Sequence, residues 1–298
     1  MNRKITSFMS AVALAVTSFA ILATACFAGE PSGTLNRIKS GGALMVGVRA
    51  SSVPFSMLDD SGNPSGFTVE LCSKIFDDVK REFAMPDLKV KYVLVKSGDR
   101  IQKLLDGEID IECGSTTNTK ERSAQVAFAN TIFITSSRIV TRAGMDIKRV
   151  DDLKGRKVAI AQNASVAPII TRIDLERKLD IQYVRVKDFA EGFQFVESKR
   201  VDAFVSDDIQ FAEFIGSSSH PADFVVVGEP LSVDPLGIML RKDDAQFLSI
   251  ANHTLNDLVV SGEFTRIYNK WFMSKKLKFP MAESLKKLLK TPNNTPNY

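Results

Sequence analysis

Three arginines stand just beyond three apolar runs: Arg49 after ALMVGV (43–48), Arg100 after KVKYVLV (89–95) and Arg122 after IDIEC (109–113). Hydroxyl residues keep them company. Ser97 precedes Arg100, Ser115 and Thr117 precede Arg122 in GSTTNTKER, and Ser165 follows KVAIA (157–161) in QNASVAP. Asp207 and Asp208 come where DAFVSD (202–207) ends. A guanidinium holds a carboxylate by two parallel hydrogen bonds, hydroxyls and helix-start amides add donors, and a carboxylate pairs with an ammonium. The set therefore suits a small zwitterion with an additional negative charge. Charge-assisted bonds contribute roughly 1.5–3 kcal/mol each, and several sustain a micromolar complex, which needs about −8 kcal/mol. Each residue also has an ordinary reading: a solvated arginine, a helix-capping Asp, or a strand-to-helix loop with Asn118 or Thr119 as cap. Their joint placement at strand ends favours the carboxylate reading.

These residues need elements to position them. From Gly41 onward, apolar strands alternate with amphipathic helices. GFTVELCSKIFDDVKREF (66–83) has Phe67, Leu71, Ile75, Val79 and Phe83 at four-residue spacing, which predicts a helix with one buried stripe. A helix is expected after Ser97, through Leu105. A second series follows: strand 157–161, helix 165–178, strand 181–186, helix 188–198, strand 202–207, a helix from Asp208 and strand 224–228. Strand 236–244 and helices 245–260 and 263–273 complete the pattern. The order predicts an α/β fold of two lobes, each a mainly parallel sheet flanked by helices, with the ligand in the interlobe cleft. The expected division is residues 29–136 plus 231–298 for the first, discontinuous lobe and 137–230 for the second. The polar tail KKLLKTPNNTPNY is expected to be poorly ordered at its end.

The chain has 298 residues, 44% hydrophobic and 25% charged, an ordinary globular composition. Residues 1–28 have a short basic start, a long apolar run and small residues at Ala23, Ala25 and Ala28, the pattern of a signal peptide cleaved after Ala28. Cys26 also permits a lipoprotein reading, against which Ala23-Thr24-Ala25 is a poor lipobox. Removal takes away Arg3 and Lys4 and no acidic residue, so the formal charge falls from +4 to +2. That balance, with no basic–aromatic clustering, gives no case for nucleic acid. The expected location is periplasmic.

After processing only Cys72 and Cys113 remain, too few for a disulfide scaffold. A bridge is possible after export, but two buried, unpaired thiols are expected. His220 and His253 have no metal-ligand spacing. HExxH, GxSxG and P-loop patterns are absent, and neither histidine falls at a strand-end loop. No enzyme activity, metal or cofactor is expected.

The segments VGVRASSVPFS, KSGDRIQKLL, DIECGSTTNTKERSAQVAFANTIF, DDLKGRKVAI and LRKDDAQF resemble the periplasmic glutamate/aspartate-binding proteins of bacterial ABC importers. The resemblance runs from about Leu35 to Phe272. It implies a type II periplasmic-binding fold, an acidic amino acid as ligand and a membrane permease as partner; the expected state is a monomer. Carried over by position, Arg49, Ser97 and Arg100 would hold the side-chain carboxylate. Arg122, Thr117 and the helix-start Ser165 would hold the α-carboxylate, and Asp207 with the Ser115 carbonyl would take the α-ammonium. Phe189 stands where the resemblance implies a histidine on the distal carboxylate, and QNASVAP replaces a Gly-Thr-Thr run. Either change would weaken acidic ligands, widen tolerance or shift the ligand to glutamine or a carboxylated conjugate; core packing is the plain reading of Phe189. A sensing or adhesive protein without a transport role is one alternative. A secreted dehydratase of the same fold is another, and would need a general acid for which only Asp207 offers itself.

Overall fold

The computed structural model describes residues 33–274 and 277–297; the expected signal peptide lies outside the described residues. Two sheets dominate. In the first, strands Val90–Leu94, Leu44–Val48 and Ile111–Thr117 run parallel in that spatial order. Strand Asp234–Leu240 then lies antiparallel beside Ile111–Thr117 and pairs in turn with Ala127–Phe128 and Phe133–Thr135. In the second, Gln182–Val186, Lys157–Ala161 and Ala203–Asp207 run parallel, followed by antiparallel Ser137–Arg142 and Phe224–Val227. The parallel half of each sheet follows from helical crossovers, which parallel neighbours require. The antiparallel half is built by the segments that pass from one sheet to the other, so each sheet is mixed. A small sheet of Ser51–Ser52, Ser56–Leu58 and Pro64–Ser65 was not foreseen; its strands are too short to show alternation.

Helix Phe67–Glu82 forms where its apolar spacing predicts, and buries Phe67, Leu71, Ile75 and Val79. It packs in the first core, where Phe55, Phe67, Phe133, Tyr268 and Phe272 interlock at ring-centroid distances of 4.5–6.2 Å. Offset and edge-to-face pairs of this kind contribute about 0.5–1.5 kcal/mol each beyond area burial. The core thus gives the first sheet a rigid floor beneath its strand ends.

Three expectations need correcting here. Cys72 and Cys113 are joined in a disulfide, tying helix Phe67–Glu82 to strand Ile111–Thr117. Both thiols point into the same helix–sheet interface, a juxtaposition of residues 41 apart that local pattern does not reveal. Second, the strand expected to stop at Cys113 continues through Gly114, Ser115 and Thr116 to Thr117. Its small polar end has a partner from far along the chain, since Leu236 pairs with Thr117 and Gly237 with Thr116. Third, the C-terminal tail is tied down. Thr131 N donates to the Asn293 carbonyl at 2.9 Å, Asn118 Nδ2 to the Asn294 carbonyl at 2.7 Å, and Asn297 N to the Asn118 carbonyl at 2.9 Å. Asparagine side chains and backbone satisfy each other there, so polarity does not prevent order.

Candidate functional site

Arg49 follows the last residue of strand Leu44–Val48 and is 2% exposed. Its Nη2 donates to Ser97 Oγ at 2.8 Å, and its guanidinium lies 5.4 Å from the centroid of the Phe189 ring. Arg100 opens helix Arg100–Leu105 and is also buried. Among the described residues, four buried side-chain nitrogens lack a hydrogen-bond partner: Arg49 Nη1, Arg100 Nε and Nη1, and, elsewhere, Arg138 Nε. Buried donors are paired in the great majority of cases, so three on two adjacent arginines mark a place built for an acceptor. Burial, and then the neighbouring Arg100, press the Arg49 guanidinium down to about 10, against the pull of Glu112. Burial likewise lowers Arg100, opposed by Glu112, Asp207 and Asp99.

The other end of that strand gives a contrast. Asp110 accepts from Arg37 and from Arg241, the latter at 3.2 Å, and Arg241 also bonds Asp244 at 2.9 Å. There buried charges are matched within the chain.

Arg122 sits in the first turn of helix Lys120–Gln125, whose N-cap is Thr119: the Thr119 hydroxyl accepts from Arg122 N at 3.2 Å. The guanidinium turns back to donate to the Thr117 carbonyl at 2.9 Å and, across the cleft, to the Asn163 carbonyl at 2.6 Å. Thr117 Oγ1 and Ser165 Oγ lie 3.1 Å apart, again bridging the two sheets. Asn163 adds a third bridge through Nδ2 to the Gly98 carbonyl at 2.9 Å. It has φ 53°, left-handed backbone that asparagine tolerates better than most residues. Ser165 lies in the turn before helix Ala167–Arg177 and neither starts nor caps it; the N-cap is Val166. Pro168 in the first turn accounts for the later start, because its fixed φ suits that position.

Asp207 ends strand Ala203–Asp207 and precedes helix Asp208–Ser217. Burial first, then Asp234 and Asp208, raise its carboxyl well above the ordinary range, with Arg122 and Arg100 acting in the opposite sense. Asp208 is occupied elsewhere: it accepts from Thr135 Oγ1 and Ser136 Oγ, each at 2.6 Å, on a segment joining the sheets. Ser115 Oγ is 2.6 Å from Ser52 Oγ, which accepts from Gln210 Nε2 of the second sheet's helix at 3.4 Å.

All nine residues expected at the site thus lie along one interface between the sheets. A groove of about 1130 Å³ reaches it, lined by Arg122 and Ser165 together with Gly98, Asp99, Asn163 and Arg185; the other seven do not line that groove. Phe189, 7% exposed, packs with Phe193 and Phe204 in the second sheet's core while facing Arg49. Sequence reasoning passed over Ser52, Glu112 and Gln210. Only Glu112 carried a signal, as a charge inside an apolar strand.

The arrangement can hold anions at two places about a buried carboxylate, between surfaces already in contact. Residues 44–274 match the family described as bacterial extracellular solute-binding proteins, family 3. The chain belongs to that family. It is 38% identical to the L-glutamate/L-aspartate-binding protein of Pseudomonas aeruginosa over 92% of this chain and 93% of that protein. It is 35% identical to the glutamate/aspartate import solute-binding protein of Escherichia coli K12, over 94% and 95%. Among solved structures, holo ArgBP from T. maritima superposes with a TM-score of 0.66 at 30% identity, covering 80% of this chain and 99% of that one. The two-lobe binding-protein fold of this family is the one described above.

Proposed function

We propose that this family member captures an acidic amino acid, glutamate or aspartate, between its two lobes and delivers it to the membrane permease of an ABC importer. The observation that carries the reading is the set of buried, unpartnered guanidinium nitrogens on Arg49 and Arg100, set apart from the paired Arg122. A distal carboxylate would satisfy the first two arginines, Arg122 with Thr117 and Ser165 would take the α-carboxylate, and Asp207 with the Ser115 carbonyl the α-ammonium. Removing one partner of a buried charge is costly, so a neutral side chain in place of the distal carboxylate leaves the pair under-compensated.

Residues 29–136 plus 231–298 form one lobe in this reading and 137–230 the other. The segments around Ser136 and Leu231 act as the hinge, and cross-cleft bonds such as Arg122 to Asn163 belong to the closed form. A ligand touching both lobes stabilises that form, which the permease then recognises. The chain is exported as a monomer without catalytic function; the Cys72–Cys113 bridge suits an oxidising compartment.

Calorimetric titration of unfolded and refolded protein with glutamate, aspartate, glutamine and asparagine tests the reading. Micromolar or tighter binding of the acids, with the amides much weaker, is expected. Absence of heat with both acids rejects the ligand assignment.

A further inference from the structure

Glu112 is fully buried, the second residue of strand Ile111–Thr117 and next to the bridged Cys113. Alternation sends Cys113 toward the helix and places Glu112, Gly114 and Thr116 together on the opposite face. Thr116 Oγ1 donates to Glu112 Oε2 at 2.9 Å, while Oε1 is buried without a partner. The carboxylate occupies the space that a side chain at residue 114 would take. A Cβ there would meet Glu112 Oε1 at 2.0 Å and Arg49 Cγ at 3.2 Å. Glycine at 114 is what lets the carboxylate and the Arg49 stem converge over one α-carbon.

We propose that Glu112 is a specificity-determining residue: its carboxylate, lodged beside Arg49, reduces the charge at the Arg49–Arg100 end of the cleft to that of a single net cation. This rests on the proposed assignment of that end to the distal carboxylate. Two guanidiniums and one carboxylate leave one positive charge, which one ligand carboxylate neutralises. Glu112 is also the strongest opposing influence on the burial-lowered Arg100, and acts likewise on Arg49. The other acidic neighbours are less suited. Asp207 also acts on Arg100, but burial raises its carboxyl well above the ordinary range and its assigned partner is the α-ammonium. Asp188 and Asp99 are half-buried and hold backbone amides, of Glu191 at 2.9 Å and Lys96 at 2.6 Å. Solvent screens them as it cannot screen Glu112.

The readout is the ratio of glutamate to glutamine affinity, which a purely structural role would leave alone because both ligands share one shape. Glu112→Gln preserves shape and removes charge, leaving two uncompensated cations. The ratio should then rise at least about fivefold, with Glu112→Asp returning it toward the wild-type value. A ratio unchanged within twofold in folded Glu112→Gln overturns the proposal. If that variant does not fold, Thr116→Val takes its place, since loss of the hydroxyl removes the hydrogen bond that fixes the Glu112 carboxylate beside Arg49. A smaller rise supports the proposal and an unchanged ratio overturns it. Wild-type protein that binds neither glutamate nor aspartate rejects the underlying ligand assignment instead, a separate outcome from an unmoved ratio in protein that binds them.

Discussion

Arg122 Nη2 lies 2.6 Å from the Asn163 carbonyl, so the arginine assigned to the α-carboxylate also fastens one sheet to the other. Arg122→Ala should therefore lower ligand affinity by roughly 30-fold or more, in line with the 2–5 kcal/mol that truncation of a buried, hydrogen-bonded charge costs. Calorimetry measures the affinity, and small-angle scattering shows whether the variant populates a more open form. Affinity within a few-fold of wild type would remove Arg122 from the binding set.

Phe189 gives a smaller and more selective effect. A guanidinium over an aromatic face contributes about 0.5–2 kcal/mol, and Arg49 lies within that range of the ring. Phe189→Leu keeps an apolar side chain in the second core and removes the π-face. Glutamate binding should weaken by about 2- to 30-fold, with a smaller change in melting temperature than Phe204→Leu. The reverse ranking would assign Phe189 to packing alone.

The legibility of the sequence followed the range of the interactions. Phe67, Leu71, Ile75 and Val79 announce their helix because its burial repeats within a few turns. Arg49, Ser97, Arg100 and Asp207 were legible because strand ends collect at the cleft of an open sheet. Ser115–Thr117 looked like a loop because Gly114 and Ser115 interrupt the apolar run and weaken the strand signal despite two β-branched threonines; the partners of Thr116 and Thr117, Gly237 and Leu236, lie more than a hundred residues on. The Cys72–Cys113 bridge and the Asn118–Asn294 hydrogen bond were hidden for the same reason. Glu112 was visible as a residue but not as buried, since a lone glutamate is ordinarily placed on the surface.

Asp207 makes the protein sensitive to pH. Its folded-state carboxyl is raised above the ordinary value by burial and by Asp234 and Asp208. Such a group favours folding at pH below the usual aspartate value, about 3.9, and the contribution is lost as pH rises through the raised value. Ligand-free protein should thus lose stability over that window, and Asp207→Asn should flatten the slope. An ammonium beside the carboxylate favours its charged form, so binding should release a proton. Melting curves across pH, and calorimetry in buffers of different ionisation enthalpy, measure the two effects. Parallel pH profiles for wild type and Asp207→Asn would exclude this role.

The disulfide should count chiefly toward stability. Closing a loop of this length contributes about 2–4 kcal/mol, and each kcal/mol moves the melting temperature of a chain this size by roughly 2–4 °C. The double variant Cys72→Ala, Cys113→Ala should melt roughly 4–16 °C lower, with glutamate affinity nearly unchanged because neither sulfur reaches the cleft. A large affinity loss in fully folded double variant would mean that the bridge also sets the position of Ser115 and Thr117.

Strand Asp234–Leu240 closes the first sheet against Ile111–Thr117, yet all five strands of the second sheet, 137–227, lie between them in sequence. The second sheet is therefore an insertion between two neighbouring strands of the first. Pairing across such a separation is slow. Asp207 and Phe189 thus stand on a sheet built from one contiguous stretch, whereas the sheet carrying Arg49 and Thr117 needs residues from both sides of that stretch. A ligand that touches both sheets would therefore depend on the pairing of residues 234–240 with 111–117, a contact between segments more than a hundred residues apart.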